Sequence, residues 1–151
     1  MVTHHFDCVI ASAGGYPKDI NLYQSQKALT NAAEITRDGG DIYLIAACDE
    51  GAGNSQFVKF LGDIHSPREV LDKFKISGFS VGPHKAFQIA RIAVRTNIHL
   101  VSNMDDQLAQ KLLFDPISIN DLIVKLNNIK KVHTLAIMPN AVITIPLVSI
   151  E

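Results

Sequence analysis

The chain contains no tryptophan, only two cysteines, and no large excess of either charge among its 151 residues. Two thiols cannot build a disulfide framework, and Cys8 and Cys48 each sit inside an apolar run, where reduced, buried side chains are expected. Fourteen Lys and Arg against fifteen Asp and Glu leave a net charge of −1, so no global basic field exists to recruit nucleic acid or an anionic membrane. No apolar run is long enough to span a bilayer. The start, Met-Val-Thr-His-His, lacks a basic stretch leading into an apolar one and does not read as a signal peptide. A cytoplasmic address is therefore expected. The histidines, His4, His5, His65, His84, His99 and His133, show neither helical i, i+4 pairing nor the Cys/His spacing of zinc sites. No metal site is expected of this chain alone, and no Ser-His-Asp or Cys-His arrangement can be assigned.

What the chain does have is core-forming material. An apolar fraction of 47% with 19% charged residues excludes disorder, and the length fits one domain over residues 1–151. Phe6 to Ala13 and Asp41 to Cys48 are nearly all apolar rather than alternating, the mark of strands buried on both faces of a parallel sheet. Ile98 to Ser102 and Leu135 to Met138 read as two more strands, and Val142 to Ile145 as a short fifth that Pro146 confines to an edge. Helices are predicted over Asn21 to Arg37, with Asp19 or Asn21 as cap and Gly39-Gly40 beyond the end. Further helices are predicted over Ser55 to Leu61, Pro67 to Ile76, Gly82 to Arg95 and Asp105 to Leu112. A last one opens at Ser118, with Asp121 three residues on and an apolar stripe through Ile119, Leu122, Ile123, Leu126 and Ile129. Strands alternating with helices predict an α/β, Rossmann-like three-layer domain with a mostly parallel sheet of four to five strands. Ligands in such sheets sit beyond the carboxyl ends of the strands, which nominates the loops after Ala13, Cys48, Ser102 and Met138.

The first of these loops opens the segment GGYPKDINLYQSQK. Gly14 and Gly15 permit close approach of a ligand to the backbone, and the helix start beyond them offers unpaired N–H groups suited to an anion. At about 100° per residue, Leu22, Leu29, Ala32 and Ala33 gather on one side, and Tyr23, Gln24 and Lys27 on the other. Tyr23 and Lys27 are four apart and Gln24 and Lys27 three apart, so all three can reach one point. A phenol, an amide and an ammonium converging there form a receptor for a carboxylate and a hydroxyl. The competing reading is that Gln24 and Lys27 only solvate an exposed face.

The loop after Cys48 carries Asp49, Glu50 and a Gly51-x-Gly53 pair, but Gln56 stands where a dinucleotide loop needs its third glycine. No Walker-type loop occurs. Turn chemistry is the expected role, with one carboxylate organising Lys18 or Lys27. His84 and Lys85, after Gly82-Pro83, open the apolar helix and are candidate cleft-lining residues, as are Gly14, Gly15, Asp49 and Glu50.

At GGYPKDINLYQSQKAL, and at Gly39 to Gly53 with its GG-x-I-x-L-x-A-x-C-x-EG-x-G pattern, the sequence resembles the carboxy-terminal lobe of the nickel-dependent lactate racemase family. Gly82 to Ala86 and the Pro-rich end look similar too. The resemblance implies a two-lobed 2-hydroxy-acid racemase or epimerase, an isomerase whose amino-terminal lobe holds a nickel-pincer nucleotide on a lysine and supplies the paired catalytic histidines. It implies that this lobe closes over the site and presents a Tyr-Gln-x-x-Lys set, here Tyr23, Gln24 and Lys27, to a small 2-hydroxy-acid substrate. No catalytic residue and no cofactor are then expected on this chain, and the amino-terminal lobe is the expected partner. A different reading from the residues alone is a non-catalytic small-anion or nucleotide-binding module on a Rossmann-like sheet.

Overall fold

The computed structural model describes residues 2–62, 64–127 and 134–149. Ile129 of the predicted helical stripe and His133 lie outside them. The chain runs β1 (Phe6–Ser12), α1 (Leu22–Ala33), β2 (Thr36–Ile45), α2 (Ser55–Leu61), α3 (Pro67–Ser77), α4 (Pro83–Ala93), β3 (Asn97–Val101), α5 (Asp106–Lys111), β4 (Asp115–Pro116), α6 (Ile119–Asn127) and β5 (Leu135–Met138). The strands form one sheet in the order β4-β3-β2-β1-β5, every neighbouring pair parallel. The four predicted strands are all in it, and helices cover both faces. β4, two residues long, was not legible as a strand.

One face of the sheet presents Val9, Ala11, Ile42, Leu44, Ile98 and Leu100 to the main core, where Leu22 and Leu29 of α1, Ile89 and Ala90 of α4 and Leu112 beyond α5 are buried. Each such leucine or isoleucine contributes about 1.5–3 kcal/mol through the apolar surface it removes from water. On the other face Leu122 of α6 packs against Cys8 and Tyr43. Because side chains alternate along a strand, His99 of β3 also lies on this face, stacked on Tyr43 at 4.5 Å. Its two ring nitrogens meet Asp115 at 2.9 Å and Asp41 at 3.0 Å.

Three predicted boundaries are corrected. Helix α1 stops at Ala33 rather than Arg37. The β-branched pair Ile35-Thr36 leaves the helix: the Thr36 hydroxyl bonds the Ala32 carbonyl at 2.8 Å, and the Ile35 carbonyl receives the Phe6 N–H at 2.7 Å. Strand β2 therefore starts before Gly39-Gly40, which form an irregularity in its register with β1, and it ends at Ile45 instead of Cys48. Val142 to Ile145 is not a strand. The Asn140 carbonyl turns that segment by accepting from the Ile143 N–H and the Thr144 hydroxyl. Pairing comes later, in an isolated bridge between Val2 and Val148.

Asp7 ties the amino ends of three strands together. It pairs with Arg37 of β2 and accepts from the N–H and hydroxyl of Thr134, each at 2.9 Å, just ahead of β5. The Arg37 guanidinium, followed by the Thr134 hydroxyl, pulls the Asp7 carboxyl down to about 2. A carboxyl lowered on folding contributes stability that is full above its unfolded value and is lost as pH falls through the folded one. Urea melts of the wild type should therefore weaken between about pH 4 and pH 2. Asp7→Asn should remove part of that slope; an unchanged slope would mean that Asp7 is not a linked group.

Candidate functional site

In the strand order, the chain leaves β1 toward β2 on one side and returns as β5 on the other. A reversal of this kind opens a crevice at the carboxyl ends of the two diverging strands. Here it is walled by the β1–α1 loop, the first turns of α1 and the segment after Met138, so two of the four nominated loops converge.

The start of α1 departs from expectation. Its first N–H groups are not free for an anion: Leu22 donates to the Gly51 carbonyl at 2.9 Å, Tyr23 to Ala52 at 3.2 Å, and Gln24 to the Asn21 side chain at 3.0 Å. Asn21, not Asp19, is the cap; Asp19 instead accepts from the Ala47 N–H. Thus the Gly51-x-Gly53 loop is a lid on the helix terminus, and an anion here must be held by side chains. Gly53 (φ +76°) lies so close that an added Cβ would stand 2.2 Å from Asn21 Cγ. Gly14 (φ +93°) is similarly pressed on Asn140, where a Cβ would lie 2.7 Å from Oδ1, while Gly15 faces open space.

Two adjoining clefts flank the exposed face of α1. The first, about 370 Å³, is lined by Pro17, Lys18, Ile20, Asn21, Gln24, Lys27 and Val142. The second, about 290 Å³, is lined by Gln26, Lys27, Thr30, Asn31, Lys85, Gln88, Val142 and Ile145. Lys27 and Val142 belong to both, so Lys27 stands on the wall between them. Gln24 and Lys27 meet in the first cleft. Tyr23 lines neither; its ring lies on the Lys85 side, with Lys85 Nζ 5.3 Å from its centroid and His84 edge-on at 6.1 Å. Asn31 fixes the α1 wall to the segment after β5, donating to the Ala141 carbonyl at 2.7 Å.

Lys85 is half-buried, and its ammonium donates to Gln26 Oε1 at 2.8 Å. Gln26 is only 1% exposed, and its amide nitrogen bonds the Thr30 hydroxyl at 2.6 Å. Burial, with the nearby charge of Lys27 added, lowers the pKa of Lys85 from the ordinary lysine value. Among the described residues, neither Lys27 nor Lys85 has a carboxylate within ion-pair distance. Gln26 is not among the residues that the sequence pattern nominates. The signal available was a polar residue four places after Leu22 and three before Leu29, on the apolar side of the helix.

The remaining candidates fall elsewhere. Asp49 and Glu50 are exposed in the β2–α2 loop; Asp49 is held by the Asn103 amide at 2.9 Å. Among the described residues neither pairs with a lysine: Lys18 Nζ donates instead to the Gly14 carbonyl at 3.2 Å. His84 lies between Phe79 and Tyr23 and contacts the Ser80 carbonyl at 3.3 Å. Among the described residues no three His, Cys, Asp or Glu side chains gather where they could hold a metal ion. Burial raises the thiols of Cys8 and Cys48 to about 11 each, which keeps them protonated at neutral pH.

Residues 2–145 match the model of the lactate racemase C-terminal domain. The chain belongs to that family. Its relatives include the lactate racemase of Lactiplantibacillus plantarum, 34% identical over 103 residues, which cover 66% of this chain and 24% of the relative. The lactate racemase of Thermoanaerobacterium thermosaccharolyticum is 39% identical over 72 residues, 48% of this chain and 17% of the relative. The aligned segments thus span a quarter or less of the length of either relative. The lactate racemase apoprotein of T. thermosaccharolyticum superposes with a TM-score of 0.85 at 24% identity, over 96% of this chain and 36% of that one. A Thermotoga maritima protein of solved structure shares the fold more loosely, with a TM-score of 0.64 at 13% identity.

Proposed function

We propose that this chain is the substrate-binding lobe of a nickel-pincer-dependent 2-hydroxy-acid racemase or epimerase, and that it holds the carboxylate of a lactate-like substrate. The observation that carries the reading is Lys27: an ammonium without a carboxylate partner among the described residues, sharing a cleft with Gln24 at the crevice of the sheet. Leu22 and Leu29 are fully buried on the same helix, so the base of the Lys27 side chain is fixed by packing rather than by a loose loop. The Lys27 ammonium takes one carboxylate oxygen and the Gln24 amide the other, while Tyr23 offers a phenol on the neighbouring side.

In this reading the nickel-pincer nucleotide and the proton-transferring bases belong to the rest of the enzyme. The lobe binds and orients; it does not itself move the proton. Two free, buried cysteines suit a reducing, cytoplasmic setting.

The test supplies the chain with a cofactor-loaded amino-terminal lobe of a lactate racemase and follows conversion of L-lactate to D-lactate. Gln24→Ala removes one neutral hydrogen bond of about 0.5–1.5 kcal/mol, so kcat/KM should fall about two- to tenfold. No turnover by a correctly assembled pair would overturn the reading. So would full activity of a Gln24→Ala, Lys27→Met double variant.

A further inference from the structure

We propose that Lys27 and Lys85 form a two-point anion receptor, so that this lobe favours a 2-hydroxy acid bearing a second anionic group, which Lys85 recognises. This rests on the proposed placement of the substrate carboxylate at Lys27 and Gln24.

The two clefts adjoin at Lys27 and Val142, the first lined also by Gln24 and the second by Lys85. A substrate whose carboxylate lies on the Gln24–Lys27 side directs its far end along Val142 and Ile145 toward Lys85. That ammonium is aimed, not loose. Gln26 Oε1 takes one of its three protons, and Gln26 is itself fixed by Thr30, while the Tyr23 ring lies 5.3 Å away on another side. The other two donors remain for a ligand. Charge argues the same way. Two ammoniums close enough for Lys27 to make Lys85 harder to protonate, one of them half-buried, repel each other, and no carboxylate among the described residues offsets them. An anion spanning both relieves that repulsion. A purely structural lysine would be expected to have an acidic partner, because desolvating a cation without one is unfavourable.

The experiment is an NMR titration of the full chain with L-lactate and, separately, L-malate at matched ionic strength. Wild type should bind malate about tenfold more tightly than lactate, the gain from one charge-assisted contact. Lys85→Met should bring malate to the level of lactate while leaving lactate within about twofold of wild type. Lys85→Gln, which keeps a polar head for Gln26, should do the same and guards against a folding defect in the first variant. A wild type without malate preference, or a preference surviving both substitutions, or an equal loss of both ligands, would overturn the receptor. Lys27→Met separates the two levels of the reading. If lactate binding depends on Lys27 but malate has no advantage, only the receptor fails. If lactate binding ignores Lys27, the underlying placement of the substrate fails with it.

Discussion

Gly53→Ala should destabilise the fold by about 2–4 kcal/mol, although the residue is exposed and lies outside the hydrophobic core. Two costs add. At φ +76° an L side chain carries a left-handed penalty of about 1–2 kcal/mol. The new methyl would also stand 2.2 Å from Asn21 Cγ and 2.5 Å from its Oδ1, so either the loop or the cap must move. Moving the cap frees the Gln24 N–H, and moving the loop frees those of Leu22 and Tyr23, each otherwise satisfied. The double variant Asn21→Gly, Gly53→Ala should recover part of the loss, since glycine is a fair cap and removes the obstructing side chain. Urea unfolding followed by circular dichroism measures both. A Gly53→Ala midpoint equal to wild type would mean that the loop does not close on α1.

The same loop shows what sequence could and could not reveal. Buried parallel strands announce themselves as continuous apolar runs, and helix starts as Asn21 and Ser118 with the polar side chains that cap them, because those signals lie within a few residues. Gly51-x-Gly53 looks like turn chemistry at that range, but its partner is the helix terminus at Leu22 and Tyr23, far earlier in the chain and visible only once the fold brings them together. The end of α1 was misplaced for a related reason. Ala33 to Arg37 can continue a helix locally, and the pull of Ile35 and Thr36 into the sheet beside Phe6 is a tertiary effect. In the candidate site, Gln24 and Lys27 were legible from a spacing of three. Lys85 could be nominated but not paired, since Gln26 lies 59 positions away. The segment around Val142 has the local pattern of an edge strand, and Asn140 turns it into the wall that both clefts share.

Lys27 is expected to supply most of the carboxylate affinity of this lobe. Among the described residues its ammonium has no carboxylate to compete with, and the helix that carries it is anchored by buried Leu22 and Leu29 and capped at its start. A charge-assisted hydrogen bond of this kind contributes about 1.5–3 kcal/mol, or about ten- to a hundredfold in binding. Lys27→Met keeps most of the aliphatic stem along the cleft wall and removes only the charge, so thermal melts should match wild type. Lys27→Arg should rescue in part, because a planar guanidinium is a different shape from a compact ammonium. The decisive measurement is kcat/KM for L-lactate with the chain supplied alongside a cofactor-loaded amino-terminal lobe, wild type against Lys27→Met. The expected result is a loss of about ten- to a hundredfold with unchanged melting; equal kcat/KM in a folded variant would overturn the carboxylate site and leave Lys27 a solvated surface residue.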